Sequence, residues 1–191
     1  MSSVLYDHIK QFIPTAQIPY EDIDTCFDRL GLAKKETLIE AGEKCDKAYF
    51  VEKGCLHAYF IDDNGVEKTV QFAIEKWWIT DFLAFRYQNK TDFYIQAVEV
   101  SEVLYITRNK LEELFARHPE MEGYFRQVYE IGYGAAIMRI KYIFNYSKEE
   151  IFFHFANQFP EFVNRVPQYL LATYLGLTPE YLSKLRGRKF S

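Results

Sequence analysis

Near the C-terminus, side chains that can form hydrogen bonds and carry charge recur at helical spacing: Glu180, Ser183 and Lys184 beside Gly187, with Arg186, Arg188 and Lys189 close by. A helix presenting such a face can donate to phosphate oxygens and reach base edges in a DNA groove. Residues 161–191 hold five Lys/Arg against Glu161 and Glu180, a net of +3, which leaves −7 on the rest of a chain whose total is −4. A basic end on an acidic protein is the footprint of local phosphate binding, and a solvated helical tail has the same composition.

Two helices about a tight turn must position that face. The first carries Leu170, Leu171, Ala172 and Leu175, and Gly176 supplies the permissive backbone for the corner that Leu177 plugs. Thr178 suits an N-cap, Pro179 the first helical position, and Glu180 the positive end of the helix dipole. Leu182 and Leu185, three apart, turn back onto the first helix. This is the pattern of a DNA-binding helix-turn-helix, and also of an αα-hairpin that closes a helical subdomain.

The 191 residues suffice for one large domain or two small ones. No apolar run is long enough to span a bilayer and the N-terminus lacks the pattern of a signal peptide, so the expected compartment is the cytoplasm, with no membrane partner. Cys26, Cys45 and Cys55 are too few and too far apart for a disulfide scaffold and are expected to be free thiols.

From Ser3 to about Leu32 the spacing predicts helices, with Leu5, Ile9 and Phe12 before Pro14, then Ile23, Phe27 and Leu30 before Gly31. From about Glu36 to Thr107 the pattern changes to short strands joined by Gly-containing turns. The pair Asn64-Gly65 predicts a hairpin turn in which both central positions tolerate positive φ. Antiparallel strands of this kind predict a β-sandwich, jelly roll or small barrel.

Thr107 can cap a helix carrying Leu111, Leu114 and Phe115, and a longer helix is predicted from Pro119 to about Tyr146, roughly 40 Å at ~1.5 Å per residue. Its apolar and small positions, Phe125, Val128, Gly132, Ala135, Ala136, Ile140 and Ile143, suit pairing with a second copy about a two-fold axis. A helix lying across its own roll would use the same residues. Ser147-Lys-Glu-Glu150 is a capping box that restarts the helix and marks a hinge. The predicted organisation is a sensor roll over 1–118, a dimerisation helix over 119–146 and a DNA-binding subdomain over 147–191.

Taken together, Gly42-Glu43, Ala48-Tyr-Phe-Val-Glu-Lys-Gly54, Tyr94-Ile-Gln-Ala-Val-Glu and the run from Val166 to Arg186 resemble the Crp/Fnr family of bacterial transcription regulators across nearly the whole chain. The terminal motif resembles the compact form found in members from the Bacteroidetes. The resemblance implies an α+β fold: an antiparallel β-roll of jelly-roll type with flanking helices, a long dimer helix and an all-α helix-turn-helix subdomain. It implies a homodimer that binds double-stranded DNA, with RNA polymerase and an unknown small-molecule effector as further partners.

Residue by residue, the chain departs from the family's best-known members. Where cyclic-AMP-binding members place a Gly-Glu pair on the ribose and an Arg with a small hydroxyl residue on the phosphate, this sequence has Thr80-Asp81 and Thr91-Asp92. Asp81 can accept a ribose hydroxyl, but Thr91 lacks the guanidinium fork and Asp92 would repel the phosphate, so cyclic AMP is not the expected effector. The cysteines lack the grouping of an iron–sulfur sensor, and lone His57 is expected to be structural. No cofactor and no metal are expected. Aligned on the turn glycine, Pro179, Glu180 and Lys184 stand where the cyclic-AMP receptor reads bases with Arg, Glu and Arg. Glu180 suits a cytosine amino group and Lys184 suits guanine, while Pro179 removes one reader. Ser183 is a third contact and Tyr181 packs or touches the backbone; Arg186, Arg188 and Lys189 suit phosphates, and Thr178 completes the predicted DNA-facing set. The family's β-hairpin wing has no counterpart before Ser191, which predicts a smaller contact.

Catalysis is not expected: the β region carries only His57, while His8, His118 and His154 fall on predicted helices or their ends, and no nucleophile–base pair stands out. The alternative to a DNA-binding regulator is a dimeric roll that binds a ligand or a protein without specific DNA binding.

Overall fold

A computed structural model describes residues 4–189 apart from the side chains of Arg188 and Lys189, so the phosphate contacts expected of those two lie outside the described residues. The chain begins with helices α1 (Val4–Phe12) and α2 (Tyr20–Asp24) and continues into strands β1 (Asp28–Leu32), β2 (Thr37–Ile39), β3 (Lys47–Lys53), β4 (Leu56–Ile61), β5 (Glu67–Ala73) and β6 (Trp78–Ile79). Helix α3 (Phe82–Tyr87) interrupts the strands before β7 (Tyr94–Ala97) and β8 (Ser101–Thr107). Two four-stranded sheets result, in the orders β1-β8-β3-β6 and β2-β7-β4-β5. The pairings of β8 with β1 and β3, of β6 with β3, and of β7 with β2 and β4 are antiparallel.

One predicted helix is a strand. Ile23 is buried in α2 as its helical spacing suggests, but the helix stops at Asp24, and Asp28 to Leu32 pair with Tyr105 to Ser101 of β8. The partner that satisfies this backbone lies 69 to 77 residues away, so no local pattern announces it. The Asn64-Gly65 turn also differs in type. Gly65 has φ +74 while Asn64 is not among the positive-φ residues, and Asp62 N–H donates to Val66 O at 3.0 Å, closing a loop longer than two residues.

Inside the roll, polar groups are paired with one another. Trp78 Nε1 can only donate, so at 2.9 Å the Tyr124 hydroxyl oxygen accepts; its hydrogen is then free for His8 Nδ1 at 2.8 Å. Burial, and after it the charge of Lys76, pushes the His8 pKa down, consistent with that neutral acceptor. At the β3–β4 turn Gly54 has φ +102, and a Cβ placed there would sit 2.7 Å from Ser101 Cα. Only glycine fits so close to that backbone.

Helix α4 (Arg108–Arg117) is capped by Thr107, whose hydroxyl accepts from Lys110 N. Helix α5 (Glu120–Asn145) is the predicted long helix, and Ser147 ends its run with a capping box in which both reciprocal bonds to Glu150 are formed. Helices α6 (Lys148–Gln158), α7 (Pro160–Arg165), α8 (Gln168–Leu175) and α9 (Pro179–Lys189) follow. No described helix is long and apolar enough to cross a membrane. The chain divides into two compact units, Met1–Tyr59 with Gln71–Ile131, and Phe60–Val70 with Gly132–Ser191. The division falls inside α5, between Ile131 and Gly132, and it assigns the tip of the β4–β5 hairpin to the helical unit.

Candidate nucleic-acid interface and sensor positions

The corner between α8 and α9 is built as its residue types demand. Gly176 caps α8 at φ +70, and Leu177 N–H donates to Ala172 O at 2.8 Å, returning the chain across the helix end. Thr178 Oγ1 accepts from Tyr181 N at 3.2 Å, and Gln168 Nε2 donates to Pro179 O at 3.2 Å, so the two helix starts are tied together. Leu170, Leu171, Leu175, Leu177, Leu182 and Leu185 are buried around Ala172, whose small side chain leaves room for the second helix.

That packing leaves Thr178, Glu180, Ser183, Lys184 and Gly187 exposed on α9, as their spacing predicts. Tyr181 and Arg186 are half-buried. The Arg186 guanidinium reaches Asn164 Oδ1 at 3.5 Å, so this expected phosphate contact is partly engaged within its own subdomain.

On α5 the expected pairing residues separate into two groups. Phe125 is 2% exposed and packs against Trp78, Phe115 and Tyr124, which makes it part of the roll's core and not of an open face. Val128 is half-buried, whereas Gly132, Ala135, Ala136, Ile140 and Ile143 are exposed. Tyr133 and Phe144, exposed at 71% and 86%, and Ile137 lie outside the face that spacing predicts. Tyr133, Ile137, Ile140 and Phe144 follow each other at spacings of four, three and four, the repeat of a helix seam.

The residues expected from sequence to meet an effector engage one another. Thr91 is buried and its hydroxyl donates to Asp81 Oδ2 at 2.8 Å, while Asp81 Oδ1 accepts from Leu83 N and Ala84 N and caps α3. Thr91 is also laced by its backbone to Gly42 and Glu43. Asp92, Arg86 and Lys90 are exposed. An Asp before Phe-Leu-Ala-Phe is the signal of a helix start, and α3 begins there. Elsewhere in the roll, His57 stacks on Tyr59 with centroids 4.9 Å apart, and Tyr59 stacks on Tyr94 at 5.1 Å. Burial pushes the His57 pKa down to about 4, against the raising effect of its hydrogen bond with Gln96, so the ring is neutral at pH 7. The three cysteines are buried free thiols. Among the described residues no group of three or more His, Cys, Asp or Glu is arranged to hold a metal ion.

Residues 29–118 match the family model of the cyclic nucleotide-binding domain. No curated protein matches the chain in sequence. Among solved structures, a double mutant of CooA from Carboxydothermus hydrogenoformans is 17% identical, with TM-score 0.71 over 90% of this chain and 80% of that one. A protein described as a transcriptional regulator of the Crp/Fnr family from Eubacterium rectale is 13% identical, with TM-score 0.69 over 94% and 85%. The c-di-GMP-responsive global regulator CLP of Xanthomonas campestris is 13% identical, with TM-score 0.68 over 88% of each chain. This likeness shows the fold: a roll of cyclic nucleotide-binding type, a long helix and C-terminal helices, as in Crp/Fnr regulators.

Proposed function

We propose that the chain is a homodimeric transcription regulator, compact like the Bacteroidetes members its C-terminal motif resembles, that binds promoter DNA through α8 and α9. The observation that carries this reading is the division of α9, where Leu182 and Leu185 are fully buried while Glu180, Ser183 and Lys184 stand in solvent. A helix held that firmly can enter a major groove, with Glu180 and Lys184 at base edges and flanking cations on phosphates. The seam of Tyr133, Ile137, Ile140 and Phe144 supports pairing with a second copy, which would present two α9 helices to half-sites one DNA turn, ~34 Å, apart.

The roll, in this reading, does not take cyclic AMP. Asp81 and Thr91 already satisfy each other, and the nearby cations Arg86 and Lys90 are exposed instead of lining a buried phosphate site. An unknown effector and RNA polymerase remain the partners for a regulator of this build. A mobility-shift titration with the protein's own upstream region tests the reading: salt-sensitive binding by a dimer is expected, and retention equal to that of an acidic control protein would refute it. Calorimetry with cyclic AMP should give no binding heat.

A further inference from the structure

The tip of the β4–β5 hairpin, Phe60–Val70, forms one compact unit with Gly132–Ser191. Its loop is stiffly built. Asp62 Oδ1 accepts from Asn64 N and Val66 N, both at 3.0 Å, and Gly65 N–H donates to Asp62 O at 2.8 Å. The hydroxyl of Thr173 on α8 joins the tip to the helices, accepting from Thr69 N at 3.4 Å and meeting Thr69 Oγ1 at 3.1 Å.

Arg139 of α5 completes the joint. Its Nη1 donates to Val70 O at 3.3 Å and its Nη2 to Tyr174 O at 2.7 Å, and the guanidinium lies 4.4 Å from the Tyr174 ring centroid. One side chain thus grips the hairpin and α8 together. Arg139 forms no ion pair among the described residues, and its Nε is buried without a hydrogen-bond partner. A desolvated cation held by two carbonyls and one ring, with a donor left over, recovers only part of its desolvation cost, which suits a joint that opens.

The two sides of the joint differ in charge. Residues 60–70 carry Asp62, Asp63 and Glu67 against Lys68, a net of −2, while residues 132–191 carry +4. Glu67 lies close enough to Tyr169, at the start of α8, that its carboxylate adds to burial in raising the phenol's pKa. In a helix-turn-helix the first helix crosses the DNA backbone, so negative charge beside α8 opposes incoming phosphates.

On the DNA-binding reading above, we propose that the docked hairpin is an autoinhibitory cover. With Thr69 on Thr173 and Arg139 bridging Val70 and Tyr174, Glu67 holds negative charge beside α8 within an acidic hairpin tip, and DNA binds at full strength only when the hairpin leaves.

The test is a mobility-shift titration at low and high salt with a labelled duplex from the upstream region. It compares the parent with two variants: Asp63→Asn/Glu67→Gln, which alters exposed charges only, and Thr173→Val, which breaks the joint. Both should bind about threefold to tenfold more tightly at low salt, with the gain of the charge variant fading at high salt. Thr173→Val should also speed amide exchange across residues 61–69. Binding by a silent parent's variants alone would support the cover in its strongest form. If the parent binds and loses binding with Lys184→Ala, but the charge variant equals the parent, the cover is overturned and DNA reading stands. A gain confined to Thr173→Val likewise overturns it. If neither parent nor variants bind, the cover and the DNA reading fail together.

Discussion

The roll and the C-terminal helices use polar residues in opposite ways. In the roll, Asp81 holds Thr91, Tyr124 joins Trp78 to His8, and His57 is sandwiched in an aromatic stack. On α9, buried leucines fix the helix while Glu180, Ser183 and Lys184 are left in solvent. A polar group whose partners are already internal stabilises the fold, and one held rigidly outward is available to another molecule. Substitutions in the first region should therefore lower stability, and those in the second should spare stability and change binding.

The largest effect is expected at the β3–β4 turn. Gly54→Ala would force a Cβ against the Ser101 backbone at positive φ and should lower unfolding free energy by about 3 kcal/mol in chemical denaturation. A comparable effect should follow from pH. The His57 pKa is about 4 when folded, against an ordinary value of 6.5, so between those values the unfolded chain takes a proton that the folded chain refuses. Its contribution is complete above pH 6.5 and is lost as pH falls to about 4, by about 3 kcal/mol. His57→Gln should flatten the pH profile in that window, and an unchanged slope would contradict the buried neutral ring. Tyr124→Phe leaves the Trp78 Nε1 and His8 Nδ1 without their common partner and should cost about 2 kcal/mol. At the other extreme, Ile140→Glu lies on an exposed seam; its fold should melt within about 0.5 kcal/mol of the parent monomer's stability. Sedimentation should nonetheless find the mass halved, and an intact dimer would remove the seam from the interface.

Local rules reach some of these features and not others. The capping box at Ser147, the left-handed Gly176 and the Thr178 cap are short-range hydrogen-bond patterns, so the helix restart at Lys148 and the α8–α9 corner are readable from a few residues. Strand β1 is not, because only β8 gives its backbone a partner. The same holds for the union of the hairpin tip with α8, which depends on Thr69 meeting Thr173 across 104 positions. Periodicity places Phe125 on the long helix but cannot say that the roll buries it, and it undervalues Tyr133 and Phe144, whose exposure only the fold reveals.

Whether the outward face of α9 reads DNA is decided by a salt-dependent titration of parent and Lys184→Ala against the upstream duplex. Lys184 is exposed on a helix whose buried side it does not touch, so the variant should melt within about 0.5 kcal/mol of the parent. If the face reads DNA, that variant should bind roughly tenfold more weakly and with a shallower dependence on salt. Equal affinities and equal salt slopes would contradict it.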